Sequence, residues 1–151
     1  MNPKTLRRLR HQAFVRQNCR CFYCTLPIWE VDPTEFTAQY GISLRKAKHL
    51  QCTAEHLIAQ QDGGDDTAQN IAAACVWCNR MRHWKRQDKA PSPEQYKKRV
   101  SQLICKLRWH PAVGLYQKEL NRGTGQVQLL SKRSINHAYR RLMNSGMLVS
   151  M

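Results

Sequence analysis

The stretch "CTAEHLIAQQDGGDDTAQNIAAACVWCNRMRH", residues 52–83, carries the densest chemistry in the chain and decides its fold. Residues 52–59 alternate weakly and suit a strand. "QQDGGDD", residues 60–66, reads as a turn or loop, with two glycines and acidic punctuation. From Asn70 onward the pattern becomes helix-friendly, which predicts a helix from about Val76 to Arg86. Three features are unusual for a purely structural segment: Glu55-His56 on the strand, Asn70 after the loop, and Asn79 directly after a Cys-x-x-Cys. The stretch is either a metal-bound knot or a place where chemistry happens.

Working outward, Cys75-x-x-Cys78 has a partner of the same spacing far upstream, Cys21-x-x-Cys24. Four thiolates suit tetrahedral Zn²⁺, and such an ion contributes folding energy to a small domain with a modest core. The competing readings are simple buried thiols, or a redox pair for either unit taken singly; both pairs together favour zinc. Cys19 is a rival to Cys21, but the two-residue spacing favours Cys21 with Cys24. Cys52 and Cys105 read as buried or bystander thiols. Seven cysteines, an odd number, do not make a disulfide framework in a chain without a secretion signal.

Around this frame, residues 4–16 predict an amphipathic helix through Leu6, Leu9, Ala13 and Phe14. "NCRCFYCTLPIWEV", residues 18–31, reads as a hairpin or knuckle carrying the first cysteines. Residues 32–51 look like an insertion of two short helices, with Gly41 between them and Ser43 as N-cap. That insertion accounts for the long separation of the two cysteine pairs. Pro91 and Pro93 end any continuation of the preceding helix. Ser92, Pro93 and Gln95 then start another, with Tyr96, Val100, Leu103, Ile104 and Leu107 as its apolar stripe. "NRGTGQ", residues 121–126, is linker-like, and residues 131–145 predict a further helix.

The net charge is +15 over 151 residues, and it is unevenly placed. Residues 1–20 hold six Lys/Arg and no acid, residues 79–110 hold ten against two, and the remainder from Pro111 holds six against one. Residues 21–78 hold only three Lys/Arg against seven acids. Basic flanks around a neutral-to-acidic centre fit a grip on a polyanion, with a phosphate backbone as the expected partner rather than a membrane surface. No apolar run approaches the roughly 18 residues of a bilayer span, and the basic N-terminus lacks a secretory apolar segment. A soluble, cytoplasmic protein is expected.

A closed four-thiolate site has no open coordination position, so any catalysis must come from what the zinc holds in place. Here the sequence resembles the HNH endonucleases, the ββα-metal nuclease family. The resemblance rests on the two Cys-x-x-Cys pairs, "AEHLIAQQDGG", the asparagine of "QNIAAAC", "CVWCNRMR" and the entry segment "LRRLRHQAFVRQNCRCFYC", and covers roughly residues 5–110. It implies His56 as general base on the attacking water and Glu55 as a metal ligand. It implies Asn70 as the residue that holds the loop and orients the histidine, and Asn79 as second metal ligand, an H-N-N variant. An imidazole can take a proton from water at physiological pH. A carboxylate with an amide oxygen makes a hard, incomplete site that suits Mg²⁺ or Mn²⁺. Arg80, Arg82, Lys85 and Arg86 are placed on the helix facing the scissile phosphate, with a solvated helix face as the alternative. His83 reads as an ordinary surface histidine, with ligand or phosphate contact as alternatives. His11, His49, His110 and His137 carry no assigned role.

The expectation is therefore an α+β, mostly helical fold: a small zinc-stabilised ββα-metal core with flanking helices. The nuclease domain is placed at 1–110, including the helical insertion 32–51, with a basic extension at 111–151. The expected activity is hydrolysis of DNA phosphodiester bonds, leaving 5′-phosphate and 3′-hydroxyl ends. A non-catalytic zinc module that binds nucleic acid is the alternative; a protein-interaction adaptor would leave the charge unexplained.

Overall fold

The computed structural model describes residues 3–84, 90–116 and 118. In chain order these form α1 (Pro3–Arg16), α2 (Pro33–Tyr40), α3 (Leu44–Lys48), β1 (Cys52–His56), β2 (Ile71–Cys75), α4 (Val76–His83) and α5 (Pro93–Cys105), with a 3-10 turn at Gln60–Asp62. The architecture is mixed and mainly helical around one two-stranded antiparallel sheet. No helix among the described residues is long and apolar enough to cross a membrane.

The helices begin and end where side-chain chemistry requires. Asp32 accepts from Thr34 N to start α2, and Gly41, at φ 58°, ends it in the left-handed region. Ser43 caps α3, and Ser92 with Gln95 forms a full capping box on α5. Tyr96, Val100 and Ile104 bury the inner face of α5 with Leu103 partly buried beside them, whereas Leu107, expected in the same stripe, lies past the helix end at φ 53°.

β1 pairs with β2 in a register that sets Cys52 opposite Cys75 and Glu55 opposite Ala72. β2 corrects the expectation that the chain is helix-friendly from Asn70. "IAAAC" has the alanines of a helix, but all five residues are buried against partners that only an extended chain can reach. Its outer edge is closed by side chain and main chain together. Ala73 O accepts from Gln17 Nε2 at 2.8 Å and from Phe22 N at 2.9 Å, while Ala73 N donates to Gln17 Oε1 at 2.9 Å. These bonds occupy the Ala73 N–H and C=O that would otherwise be open to another chain. On the far side of β1, Trp29 bridges to Gln51, and Cys52 N donates to Trp29 O at 2.7 Å.

The chain passes directly from β2 into α4, completing a ββα unit. α4 ends at His83, because Trp84 is already extended; the continuation expected to Arg86 lies among residues outside those described. The core that supports this unit gathers Ala13, Tyr23, Leu26, Leu50, Val100 and Ile104 around the four paired cysteines. It does not stop at residue 110. Ala112, Leu115 and Tyr116 are buried in the same cluster, and Tyr116 donates its hydroxyl proton to Cys24 O at 2.6 Å. The helix expected at 131–145 lies outside the described residues.

Candidate functional site

The knuckle of residues 20–27 turns back through an Arg20–Pro27 bridge, with Thr25 at φ 58°. This brings Cys21 and Cys24 beneath the end of β2 and the start of α4, where Cys75 and Cys78 wait. All four sulfurs are buried and lie within 4.8 Å of one another, with Cys24 Sγ and Cys75 Sγ 3.9 Å apart. A tetrahedral ion with Zn–S bonds of ~2.3 Å would set its sulfurs ~3.8 Å apart. The described cysteines form no disulfide. The surroundings suit thiolate charge. Cys75 N donates to Cys21 Sγ at 3.3 Å, Cys78 N to Cys75 Sγ at 3.3 Å, and Trp109 Nε1 to Cys78 Sγ at 3.4 Å. Burial opposes the Cys21 thiolate, but hydrogen bonds from the other three cysteines outweigh it and hold its thiol well below the usual range. Burial pushes Cys75 and Cys78 well up. Four converging buried sulfurs form a donor set that fits Zn²⁺. His110, which sequence reading left without a role, sets Nε2 3.7 Å from Cys75 Sγ, and burial lowers its imidazole to about 4. Cys52 is buried in β1 with its thiol pushed up to about 12, mainly by desolvation, and stands apart from the cluster, as does Cys105.

Between β1, α4 and the Ala59–Gln61 turn lies an open cleft of about 340 Å³, lined by Glu55, His56, Asn79 and His83 together with residues of that turn. Glu55 forms its floor and is 1% exposed. One carboxylate oxygen, Oε1, is crowded: it accepts from Tyr23 OH at 3.0 Å and from the guanidinium of Arg82, and His83 Nε2 lies 3.4 Å away. The other, Oε2, is buried and has no hydrogen-bond partner among the described residues. A buried carboxylate oxygen without a donor is costly, and cation binding is one of the few arrangements that relieves it. Asn79 spends its amide protons on Thr53 Oγ1 at 3.0 Å and Ala54 O at 3.1 Å, which leaves its carbonyl oxygen available. A carboxylate oxygen, an amide oxygen and an imidazole thus share one cleft, a set that fits a hard divalent cation with open positions for water and phosphate.

His56 sits at the end of β1, opposite Ile71. Its Nε2 is 2.8 Å from Asp66 Oδ1. Asn70, expected to orient the histidine, bonds elsewhere. Its Oδ1 accepts from Ile58 N at 2.7 Å, and its Nδ2 donates to Ile58 O at 3.1 Å and to Asp65 O at 2.9 Å. The asparagine closes the loop on itself, and the loop then delivers Asp66 to the imidazole. The twin glycines are part of that closure. Gly63 takes φ +85°, and a Cβ on Gly64 would stand 1.9 Å from Ile58 O.

Arg82 corrects a further expectation. Placed by its sequence among the phosphate-facing cations, it is only 2% exposed, and its guanidinium is spent on Glu55, His56 O, Leu57 O and Pro91 O. Arg80 is exposed on α4, and Lys85 and Arg86 lie outside the described residues. His83, read from sequence as a surface histidine, belongs to the cleft. The signal was present in its position, one turn after Asn79 on the same helix face. Tyr23 and Asp66 carried no such signal: one is an aromatic between two cysteines, the other one of several acids in a polar loop.

No curated protein and no solved structure matches the chain. The model of the HNH endonuclease family matches residues 42–85, a span that takes in α3, both strands, the glycine loop and α4. With the four clustered cysteines beside it, the segment of residues 42–85 is similar to the HNH endonuclease family.

Proposed function

We propose that this protein is a metal-dependent DNA endonuclease that hydrolyses phosphodiester bonds to 5′-phosphate and 3′-hydroxyl ends. The observation that carries the reading is Glu55 Oε2: a buried carboxylate oxygen, without a partner among the described residues, on the floor residue of a cleft that also holds His56, Asn79 and His83. A purely structural carboxylate would have both oxygens satisfied.

Glu55 Oε2, the Asn79 carbonyl oxygen and His83 would hold Mg²⁺ or Mn²⁺, which when bound supplies charge stabilisation to the phosphorane and the departing oxygen. The chain's own residues do the rest. His56 takes the proton from the attacking water at the ring nitrogen that Asp66 leaves free, Nδ1. The water oxygen bonds to phosphorus, the P–O3′ bond breaks with its electron pair on O3′, and that oxygen is protonated from solvent. Tyr23 and Arg82 keep the Glu55 side chain in one rotamer, and burial raises the Tyr23 phenol far enough that it remains a donor. Arg80 and the uneven basic charge are assigned to the DNA backbone.

The test uses supercoiled plasmid with the wild-type chain and with His56→Ala, each with Mg²⁺, Mn²⁺ or EDTA. Wild type should nick with metal and stop with EDTA. His56→Ala should bind DNA but cut roughly 10²–10⁴-fold more slowly. If both proteins bind and neither cuts under any metal condition, the protein is a non-catalytic nucleic-acid-binding module instead.

A further inference from the structure

We infer that Asp66 is the positioning residue for His56: its carboxylate takes the Nε2–H of the imidazole and fixes the ring so that an unprotonated Nδ1 is offered to the cleft. The inference rests on the reading of His56 as general base.

The contact is 2.8 Å, between side chains only 13% and 24% exposed, so it is not a solvated surface pairing. An ionised carboxylate can only accept a hydrogen bond, so the proton between the two groups belongs to Nε2. Nδ1 then carries the lone pair, and no other described residue hydrogen-bonds to it. Gln60 Nε2 also donates to the same Asp66 oxygen, at 3.5 Å.

What makes Asp66 a device rather than a chance neighbour is how its backbone is held. On one side, Asp65 O accepts from Asn70 Nδ2 at 2.9 Å and from Thr67 N at 3.0 Å. On the other, Thr67 O accepts from Asn70 N at 3.1 Å and from Ile71 N at 3.0 Å. Gly64 lets the loop pass against Ile58 O, where no side chain fits. Asn70 and Asp66 therefore divide one task. The asparagine pins the loop to Ile58, two residues past His56, and the aspartate closes the remaining gap to the ring. Asn70 acts on the histidine through Asp66, which a linear pattern of residues cannot display.

The experiment compares the full chain with Asp66→Ala, each loaded with zinc and matched by thermal melting, using two readouts. The first is ¹⁵N NMR of the His56 ring at a pH where it is neutral, assigned by the resonances missing from His56→Ala. Wild type should show one tautomer, a pyrrole-type Nε2 and a pyridine-type Nδ1, with a slowly exchanging Nε2–H. Asp66→Ala should lose that slow proton. The second is plasmid nicking with kcat and KM separated. Asp66→Ala should lower kcat by about 10–100-fold, the range for removing a partner that orients an active-site imidazole, and leave KM within about 2-fold. A wild-type ring protonated on Nδ1, an Nε2–H that exchanges equally fast in both proteins, or a kcat within about 3-fold of wild type overturns the inference. Should Asp66→Ala fail to fold, Asp66→Asn takes its place. The amide is of equal size, and where it donates its own N–H to Nε2 it forces the proton onto Nδ1, so kcat should again fall. The tautomer is read without any cleavage. A wild-type chain that shows the Nε2–H tautomer but never cuts DNA refutes the nuclease reading, not the Asp66–His56 pairing.

Discussion

The cysteine cluster and the acidic cleft both draw on the same ββα unit, and they are built on opposite rules. In the cluster every sulfur is buried, the four converge on one point, and main-chain and tryptophan N–H groups face them. In the cleft one carboxylate oxygen is crowded with donors while its twin has none among the described residues, and His56, Asn79 and His83 line the same open space. The first arrangement is closed and leaves nothing to react; the second is incomplete. What the contrast teaches is that the two are mechanically one object. Tyr23 lies inside the cysteine knuckle yet bonds to Glu55. Arg82 follows Cys78 by one helical turn and bonds to the same carboxylate. The closed site is the footing from which the open site is held.

The harshest way to break this arrangement is to empty the footing. Structural zinc contributes on the order of 10–16 kcal/mol of binding free energy at neutral pH, more than the whole stability of a typical small domain. Cys78→Ser, or a strong chelator on the wild type, should therefore unfold the ββα core. Near-UV circular dichroism and zinc per chain should fall together, and nicking with them. A chelated protein that keeps its near-UV spectrum would show that the core stands without the metal and that the cluster is no footing.

A smaller break separates the two sites. Arg82→Leu removes the guanidinium from a buried carboxylate and from three carbonyl oxygens. Breaking one side of a buried pair costs about 3–5 kcal/mol, because the remaining charge is stranded. Zinc content should stay at one per chain while the urea midpoint drops. Adding Glu55→Leu to the same chain should recover part of the loss, since the stranded charge is then gone. Equal melting of Arg82→Leu and wild type would mean that the pair does not hold the cleft.

How far this was legible from the sequence differs between the two sites for a physical reason. Tetrahedral coordination imposes a covalent-scale spacing on its ligands, so Cys21, Cys24, Cys75 and Cys78 announce themselves and do meet. Caps and turns are similarly local, and Gly41, Ser43 and Ser92 fall where they were read. β2 was harder. Its alanines favour a helix, and only pairing with β1 makes it a strand. Arg82 sits in a basic run, and composition cannot say which cation of a run turns inward. Asp66, ten positions along the chain from His56, reaches it through a loop whose path depends on Asn70 and Gly64. The supports of the cleft are long-range contacts, and a linear pattern records those poorly.

The finest test concerns the one hydroxyl that joins the two sites. Tyr23 is fully buried, and its ring packs edge-on against Phe22 and Tyr96, with centroids 5.1 Å and 4.8 Å away. Tyr23→Phe keeps that packing and removes only the donor to Glu55 Oε1. A hydrogen bond to a charged group contributes about 1.5–3 kcal/mol. Arg82 still faces the same oxygen, so the loss should lie at the low end of that range in urea unfolding, with zinc retained. The carboxylate would gain freedom to swing, so nicking should fall modestly and added Mn²⁺ should restore part of it by raising occupancy of the cleft. The direction of any coupling is what matters. If Tyr23→Phe loses zinc while the cleft works normally, the hydroxyl supports the cluster rather than the carboxylate. The order of dependence between the two sites would then be reversed.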